Sequence, residues 1–247
     1  MSPPRTADRQ AVIDRIVSVT AKVIVERDGK RVGSGSGVVV ASTPAGPDGP
    51  AATYILTAQH VLDGKERAAL FARFVGPQAA SGRLPATLFR AGNAETLDLA
   101  ILRVTGLAVP PAVLATADAR LGQAILIAGY PWGKRFGLFS GIVSQLPAGA
   151  AETGQPDDAG AEATLVVDAA SANGVSGGGV FQEATGELLG VVEGYQTASI
   201  AVESRARAYS LKVPVAGETF VVPGARIRQF LDAAGLGPAR LSSSDRR

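Results

Sequence analysis

The sequence is short of several residue types, and two of these shortages narrow the kinds of protein it can encode. None of its 247 residues is cysteine, which excludes a disulfide scaffold and a thiolate metal site. A chain without cysteine suits the cytosol and the periplasm equally. We expect no metal and no other cofactor.

Long apolar runs are also missing. None approaches the roughly 18 residues of a membrane span, and the first ten residues, MSPPRTADRQ, lack the apolar core of a signal peptide. We expect a soluble protein without a membrane partner, cytoplasmic as the sequence stands, or periplasmic if a leader precedes it. The net charge is only +2 and the basic residues are scattered, so no nucleic-acid partner is expected.

What the chain does contain is a series of short apolar segments. Hydrophobic residues make up 46% and charged residues 19%, a globular composition. Alternating segments such as residues 70–74 and 86–90 are separated by Gly, Pro and Ser turns, which is typical of an antiparallel barrel or sandwich. Residues 105–121, with two adjacent prolines, predict a link between two halves. Helical spacing of apolar residues predicts a terminal helix at 225–234.

A cluster of small residues, SANGVSGGGV at positions 171–180, stands out within this apolar sequence. Its glycines let the backbone turn sharply and bring N–H groups close to a ligand, and they leave the hydroxyl of Ser176 exposed. A serine hydroxyl is a weak nucleophile. It needs an adjacent base and donors directed at the developing oxyanion.

His60 and Asp98 are the candidates to activate that serine. His60, the only histidine, ends an apolar segment, and Asp98 begins the apolar run LDLAILRV at 97–104. A lone histidine in such a segment more often packs than reacts, and most aspartates are exposed. However, a carboxylate among leucines costs desolvation energy unless it is paired. The order His, Asp, Ser in an all-β chain favours a catalytic interpretation.

Local motifs around these residues resemble those of chymotrypsin-fold serine proteases. The motifs are LTAQHVL at 56–62, DLAIL at 98–102, GVSGGG at 174–179 and the preceding strand GSGSGVVV at 33–40. The resemblance as a whole extends from about residue 17 to about residue 231.

Further motifs are similar to those of the bacterial HtrA/Deg-type branch. They are GYPWG at 129–133, SGIVS at 140–144, DAASANG at 168–174 and FVVP at 220–223. We expect no PDZ module after Gly235, which would depart from that branch.

The resemblance implies an all-β fold of two six-stranded antiparallel Greek-key barrels with a C-terminal helix. It places an N-terminal extension at 1–15, the protease domain at 16–234 and a flexible tail at 235–247. Within the domain, the two barrels are expected at about 16–108 and 118–224.

The resemblance also implies roles for individual residues. His60, Asp98 and Ser176 would form a catalytic triad, and the N–H groups of Gly174 and Ser176 would form the oxyanion hole. The expected reaction is peptide-bond hydrolysis in a protein or peptide substrate, through an acyl-enzyme.

The same layout implies a primary substrate pocket. Its base and walls correspond to Ala170, Val192, Glu193, Gly194 and Phe220. An apolar base predicts cleavage after small or aliphatic residues, whereas a Glu193 side chain directed into the pocket would select basic residues.

Two departures from the family pattern leave alternatives open. Val175, directly before the nucleophile, cannot form the ion pair that activates zymogens, so Ile16-Val17 is not expected to mark an activation site. The pocket would then be ordered by its loops alone or by a regulatory protein partner. Gly179 and Val175 also keep open a catalytically weak or inactive binding module. An α/β-hydrolase esterase is disfavoured because it requires the order Ser, Asp, His.

Overall fold

Two closed β-barrels make up most of the structure, a computed structural model that describes residues 6–47, 49–64, 67–76, 82–93, 96–147, 164–169, 172–203 and 208–237. The first barrel contains β1 (Thr20–Arg27), β2 (Lys30–Thr43), β3 (Ala52–Thr57), β4 (Ala69–Phe74), β5 (Arg83–Asn93) and β6 (Leu97–Thr105). The second contains β7 (Ala124–Gly129), β8 (Gly137–Gln145), β9 (Leu165–Ala169), β10 (Gly179–Gln182), β11 (Leu188–Glu203) and β12 (Ala208–Pro223).

Both barrels have the same topology. The strand order is β1-β2-β3-β6-β5-β4 in the first and β7-β8-β9-β12-β11-β10 in the second, and neighbouring strands are antiparallel. Helix α2 (Gly224–Ala233) follows, one residue earlier at each end than the sequence predicted. The predicted fold class is therefore confirmed.

Helix α1 (Thr6–Val19) precedes the first barrel and packs against both barrels. Its buried residues Val12 and Ile16 belong to the core cluster of the first barrel, which also includes Phe181 and Leu188 from the second. Arg9 Nη2 adds an ion pair to Glu183 Oε1 at 2.9 Å. The predicted boundary at residue 16 thus falls within a helix whose apolar side is part of the core.

Strand β6 is buried on both faces, which explains its nearly continuous apolar sequence. Ala100 and Leu102 face the core of the first barrel, while Leu99 and Ile101 belong to a second cluster. That cluster joins β6 to β11, β12 and α2 through Val191, Val222, Ile227, Phe230 and Leu231. The two barrels are therefore packed together at the strand that carries Asp98.

Candidate active site

His60 lies in a one-turn 3₁₀ helix, Gln59–Val61, directly after β3. The strand before it is fixed at its end, because the buried Thr57 donates its hydroxyl to the carbonyl of Ser36 at 2.7 Å. The turn carries the imidazole out of the barrel core into an exposed position. Main-chain hydrogen bonds within the turn hold it there.

Asp98 is the second residue of β6 and is 5% exposed. Its Oδ1 accepts the backbone N–H of His60 at 2.8 Å, and its Oδ2 lies 2.5 Å from His60 Nδ1. These contacts offset the desolvation cost expected for a carboxylate among leucines. They also orient the ring so that Nε2 is the nitrogen left for other chemistry.

The environment of His60 favours its charged form. The hydrogen bond from His60 Nδ1–H to the Asp98 carboxylate is the largest cause and raises the pKa of the imidazole above its usual 6.5, while burial opposes it. The charges of Asp98, Asp63 and Glu193 raise the pKa further. The site is therefore suited to stabilise an imidazolium.

Ser176 lies in the loop between β9 and β10, and this loop is pressed against the first barrel. The carbonyl of Ser176 accepts the N–H of Ser36 at 2.8 Å. Gly177 has φ +82°, and a Cβ there would lie 2.9 Å from the backbone nitrogen of Ala58 and would also clash with Ser36 O and Thr57 Oγ1. Only glycine fits this approach.

The Ser176 loop therefore lies against the segment that leads into the His60 turn. Gly177, next to Ser176, contacts Thr57 and Ala58, the residues that lead into the His60 turn. Among the described residues, none forms a hydrogen bond with Ser176 Oγ. This is compatible with catalysis, because catalytic hydrogen bonds often tighten only when substrate binds.

The N–H groups around Ser176 divide into two sets. Those of Val175, Gly177 and Gly178 donate to the carbonyls of Ala172, Val192 and Val175 at 3.0, 2.8 and 2.7 Å. Within the described part of the chain, the N–H groups of Gly174 and Ser176 have no acceptor. These are the two N–H groups that the sequence comparison assigned to an oxyanion hole.

Ser36 is a residue whose importance the sequence analysis missed. Its hydroxyl donates to the carbonyl of Gly174 at 2.7 Å and accepts the N–H of Tyr130 at 2.8 Å. One side chain of the first barrel thereby holds two loops of the second. The GSGSG pattern could have indicated this role, because Gly35 and Gly37 flank Ser36. A Cβ on Gly35 would lie 3.1 Å from Ser176 O, so the glycine lets the serine loop approach closely.

The residues predicted to form the substrate pocket have different environments. Val192 is fully buried in the core of the second barrel, so only its main chain reaches the Ser176 loop. Glu193, Gly194 and Phe220 are half-buried on the paired strands β11 and β12. Ala170 lies outside the described residues.

A second contact missed from the sequence ties the loop to β11. The phenol of Tyr195 donates to Asn173 Oδ1 at 2.7 Å. The carbonyl of Asn173 also accepts the N–H of Trp132 at 2.5 Å. Asn173 therefore connects the residue before Gly174 to two neighbouring segments, and no sequence motif had marked that role.

Known proteins agree with this architecture. The sequence profile of the Trypsin-like peptidase domain matches residues 35–191. The chain belongs to this family. No curated protein sequence matches the chain.

Solved structures show the same fold at low sequence identity. An inactive form of the Rv3671c protease covers 95% of this chain and 98% of its own, with 22% identity and a TM-score of 0.61. An inactive mutant of Rv3671c from M. tuberculosis covers 95% of both chains, with 21% identity and a TM-score of 0.62. A serine endoprotease from Yersinia pestis covers 95% of this chain and 68% of its own, with 20% identity and a TM-score of 0.65.

The described residues offer neither a metal site nor a membrane-spanning helix. They contain no group of three or more His, Cys, Asp or Glu side chains placed to hold a metal ion. Neither α1 nor α2 is long and apolar enough to cross a membrane, and no other described helix is.

Ser36→Ala tests the link between the barrels. The substitution leaves a buried N–H of Tyr130 and the carbonyl of Gly174 without their partner, so the free energy of unfolding should fall by about 1–3 kcal/mol. Urea denaturation measures this. Ser34→Ala on the same strand, which removes a less buried hydroxyl, is the control and should cost less. Equal stability of the two variants would contradict the role assigned to Ser36.

Proposed function

We propose that the trypsin-like peptidase fold of this chain works as a serine endopeptidase, with His60, Asp98 and Ser176 as its triad. The observation that carries the proposal is the double contact between His60 and the buried carboxylate of Asp98. That pair lies beside a serine loop with two N–H groups left to donate. No metal or other cofactor takes part.

Each residue has a defined step in the proposed reaction. Ser176 Oγ attacks the scissile carbonyl carbon while its proton passes to His60 Nε2. The imidazolium then gives this proton to the leaving amine, and an acyl-enzyme forms. Water, deprotonated by His60, breaks the acyl bond and restores Ser176. Asp98 orients the ring and stabilises its charged form throughout.

The oxyanion of the tetrahedral intermediate would be bound by the N–H groups of Gly174 and Ser176. Donors of this kind contribute about 2.7–4 kcal/mol each. Only main-chain atoms are involved, so Val175 in place of the asparagine typical of the family does not prevent binding. The hydroxyl of Ser36 keeps the Gly174 peptide in place by binding its carbonyl.

Protein or peptide chains are the proposed substrates, cut after small or aliphatic residues. The position of Ala170 at the base of the pocket, inferred from the family layout, supports an uncharged pocket. The motifs shared with the HtrA/Deg-type branch support placing the chain near that branch. The serine endoprotease from Yersinia pestis has the same fold.

Activation by a new N-terminus is not part of this proposal. Val175 is fully buried among the apolar core residues of the second barrel, and Ile16 is 1% exposed within α1. Neither offers the ion pair of a zymogen switch. We propose that loop packing, or a regulatory protein partner, orders the pocket.

Asp98→Asn and Ser176→Ala test the triad. Asparagine would hold the wrong imidazole tautomer, and kcat should fall about 10⁴-fold. Ser176→Ala should abolish the acyl-enzyme burst in pre-steady-state experiments with excess ester substrate. Asp118→Asn, at an exposed site away from the triad, is the matched control and should retain activity. Acyl-enzyme formation in Ser176→Ala, or full activity in Asp98→Asn, would refute the mechanism.

The pH dependence of kcat/KM tests His60 as the base. Protonated His60 cannot accept the proton of Ser176, so the rate should fall as pH drops through the pKa of the imidazole. Because Asp98 raises that pKa, the midpoint should lie above 6.5. Peptide hydrolysis measured from pH 5 to 9 shows the fall of kcat/KM on the acid side of the profile. Activity that stays constant down to pH 5 would exclude this role.

A further inference from the structure

Glu193 occupies an irregular point of β11 next to the catalytic loop. On β11, Val192 pairs with Val221 and Gly194 pairs with Phe220, so Glu193 is the extra residue of a β-bulge. The neighbouring main chain is anchored to the serine loop, because Val192 N–H donates to Gly178 and Gly177 N–H donates to Val192, both at 2.8 Å.

Glu193 follows directly after the segment of β11 that packs against the first barrel. Val191 belongs to the cluster shared with Leu99 of β6, whereas Val192 belongs to the interior of the second barrel. The charges that act on the Glu193 carboxylate include those of His60 and of Asp98 on β6. Asp98 is the neighbour of Leu99 on that strand.

Charged groups from three elements interact with Glu193. They are Asp98 on β6, His60 in its 3₁₀ turn and Arg226 in the first turn of α2. Arg226 is itself held near Asp98, because its guanidinium donates to the carbonyl of Thr96. Burial, followed by the charge of Asp98, raises the pKa of Glu193, while Arg226 and His60 oppose this rise.

We propose that Glu193 is a positioning residue that acts through His60, as a second carboxylate that stabilises the imidazolium formed when Ser176 attacks. This inference rests on the proposed function of the same site. Glu193 takes no proton from the substrate or from Ser176; the proton moves from Ser176 Oγ to His60 Nε2 and then to the leaving amine. Its contribution is electrostatic and requires its ionised form.

This role differs from the pocket wall considered in the sequence analysis. A carboxylate in the pocket would bind basic side chains of the substrate and would leave His60 unaffected. A carboxylate facing Asp98 and His60 changes the titration of the imidazole whatever the substrate. Asp98 and Asp63, the other two acidic residues that act on His60, stay the same in both cases.

The titration of His60 tests the inference without any turnover. It is the only histidine in the chain, so its NMR signal needs no assignment among others. Glu193→Gln should lower the midpoint of His60, and Glu193→Ala should shift it in the same direction. Glu187→Gln, directly before the first residue of the same strand, is the matched control and should leave the midpoint at the wild-type value.

Kinetics of the same variants give the second readout. In Glu193→Gln the acid limb of kcat/KM should move to lower pH by the same amount as the NMR midpoint, and kcat at the plateau should fall without a rise in KM. An unchanged His60 midpoint would overturn the inference, as would a lost preference for Lys or Arg with no titration shift. If wild type shows no Ser176-dependent hydrolysis, the proposed function fails, and the NMR titration still decides the role of Glu193.

Discussion

The buried carboxylate of Asp98 is the constraint on which the rest of the site depends. At 5% exposure it needs partners, and both of its oxygens contact His60. β6 is held from both sides by apolar clusters, so Asp98 has little freedom to move away from the histidine. The packing of the core thus fixes the orientation of one imidazole ring.

The second barrel supplies the nucleophile loop, and close packing against the first barrel determines the position of that loop. Gly177 allows the loop to approach Thr57 and Ala58, and Ser36 connects it to Tyr130 through its hydroxyl. Around Ser176, the N–H groups of Val175, Gly177 and Gly178 donate to main-chain carbonyls. Within residues 174–178, those of Gly174 and Ser176 have no acceptor in the described part of the chain, and they are the donors proposed for an oxyanion.

Local pattern was enough to predict an antiparallel β fold and the terminal helix, and the family resemblance added the two six-stranded barrels and the pairing of Asp98 with His60. Alternating apolar and polar residues between turn residues predict strands. A charged residue in an apolar run indicates that its charge is paired with another group. Contacts that join distant segments of the chain produce no comparable pattern in the sequence. The sequence placed Ser36 only in a glycine-rich strand. The burial of Val192 and the surroundings of Glu193 depend on how β11 packs against β6, which no local pattern shows. Ala170 lies outside the described residues, so its place at the pocket base remains a prediction.

Covalent labelling by a fluorophosphonate probe tests the central claim most directly, because it requires an activated serine and no knowledge of the substrate. We predict one adduct per chain on Ser176, no adduct in Ser176→Ala, and a strongly slowed reaction in His60→Ala. Mass spectrometry of the intact and digested protein locates the adduct. A folded wild-type protein that does not react, or that reacts equally in Ser176→Ala, would contradict the account.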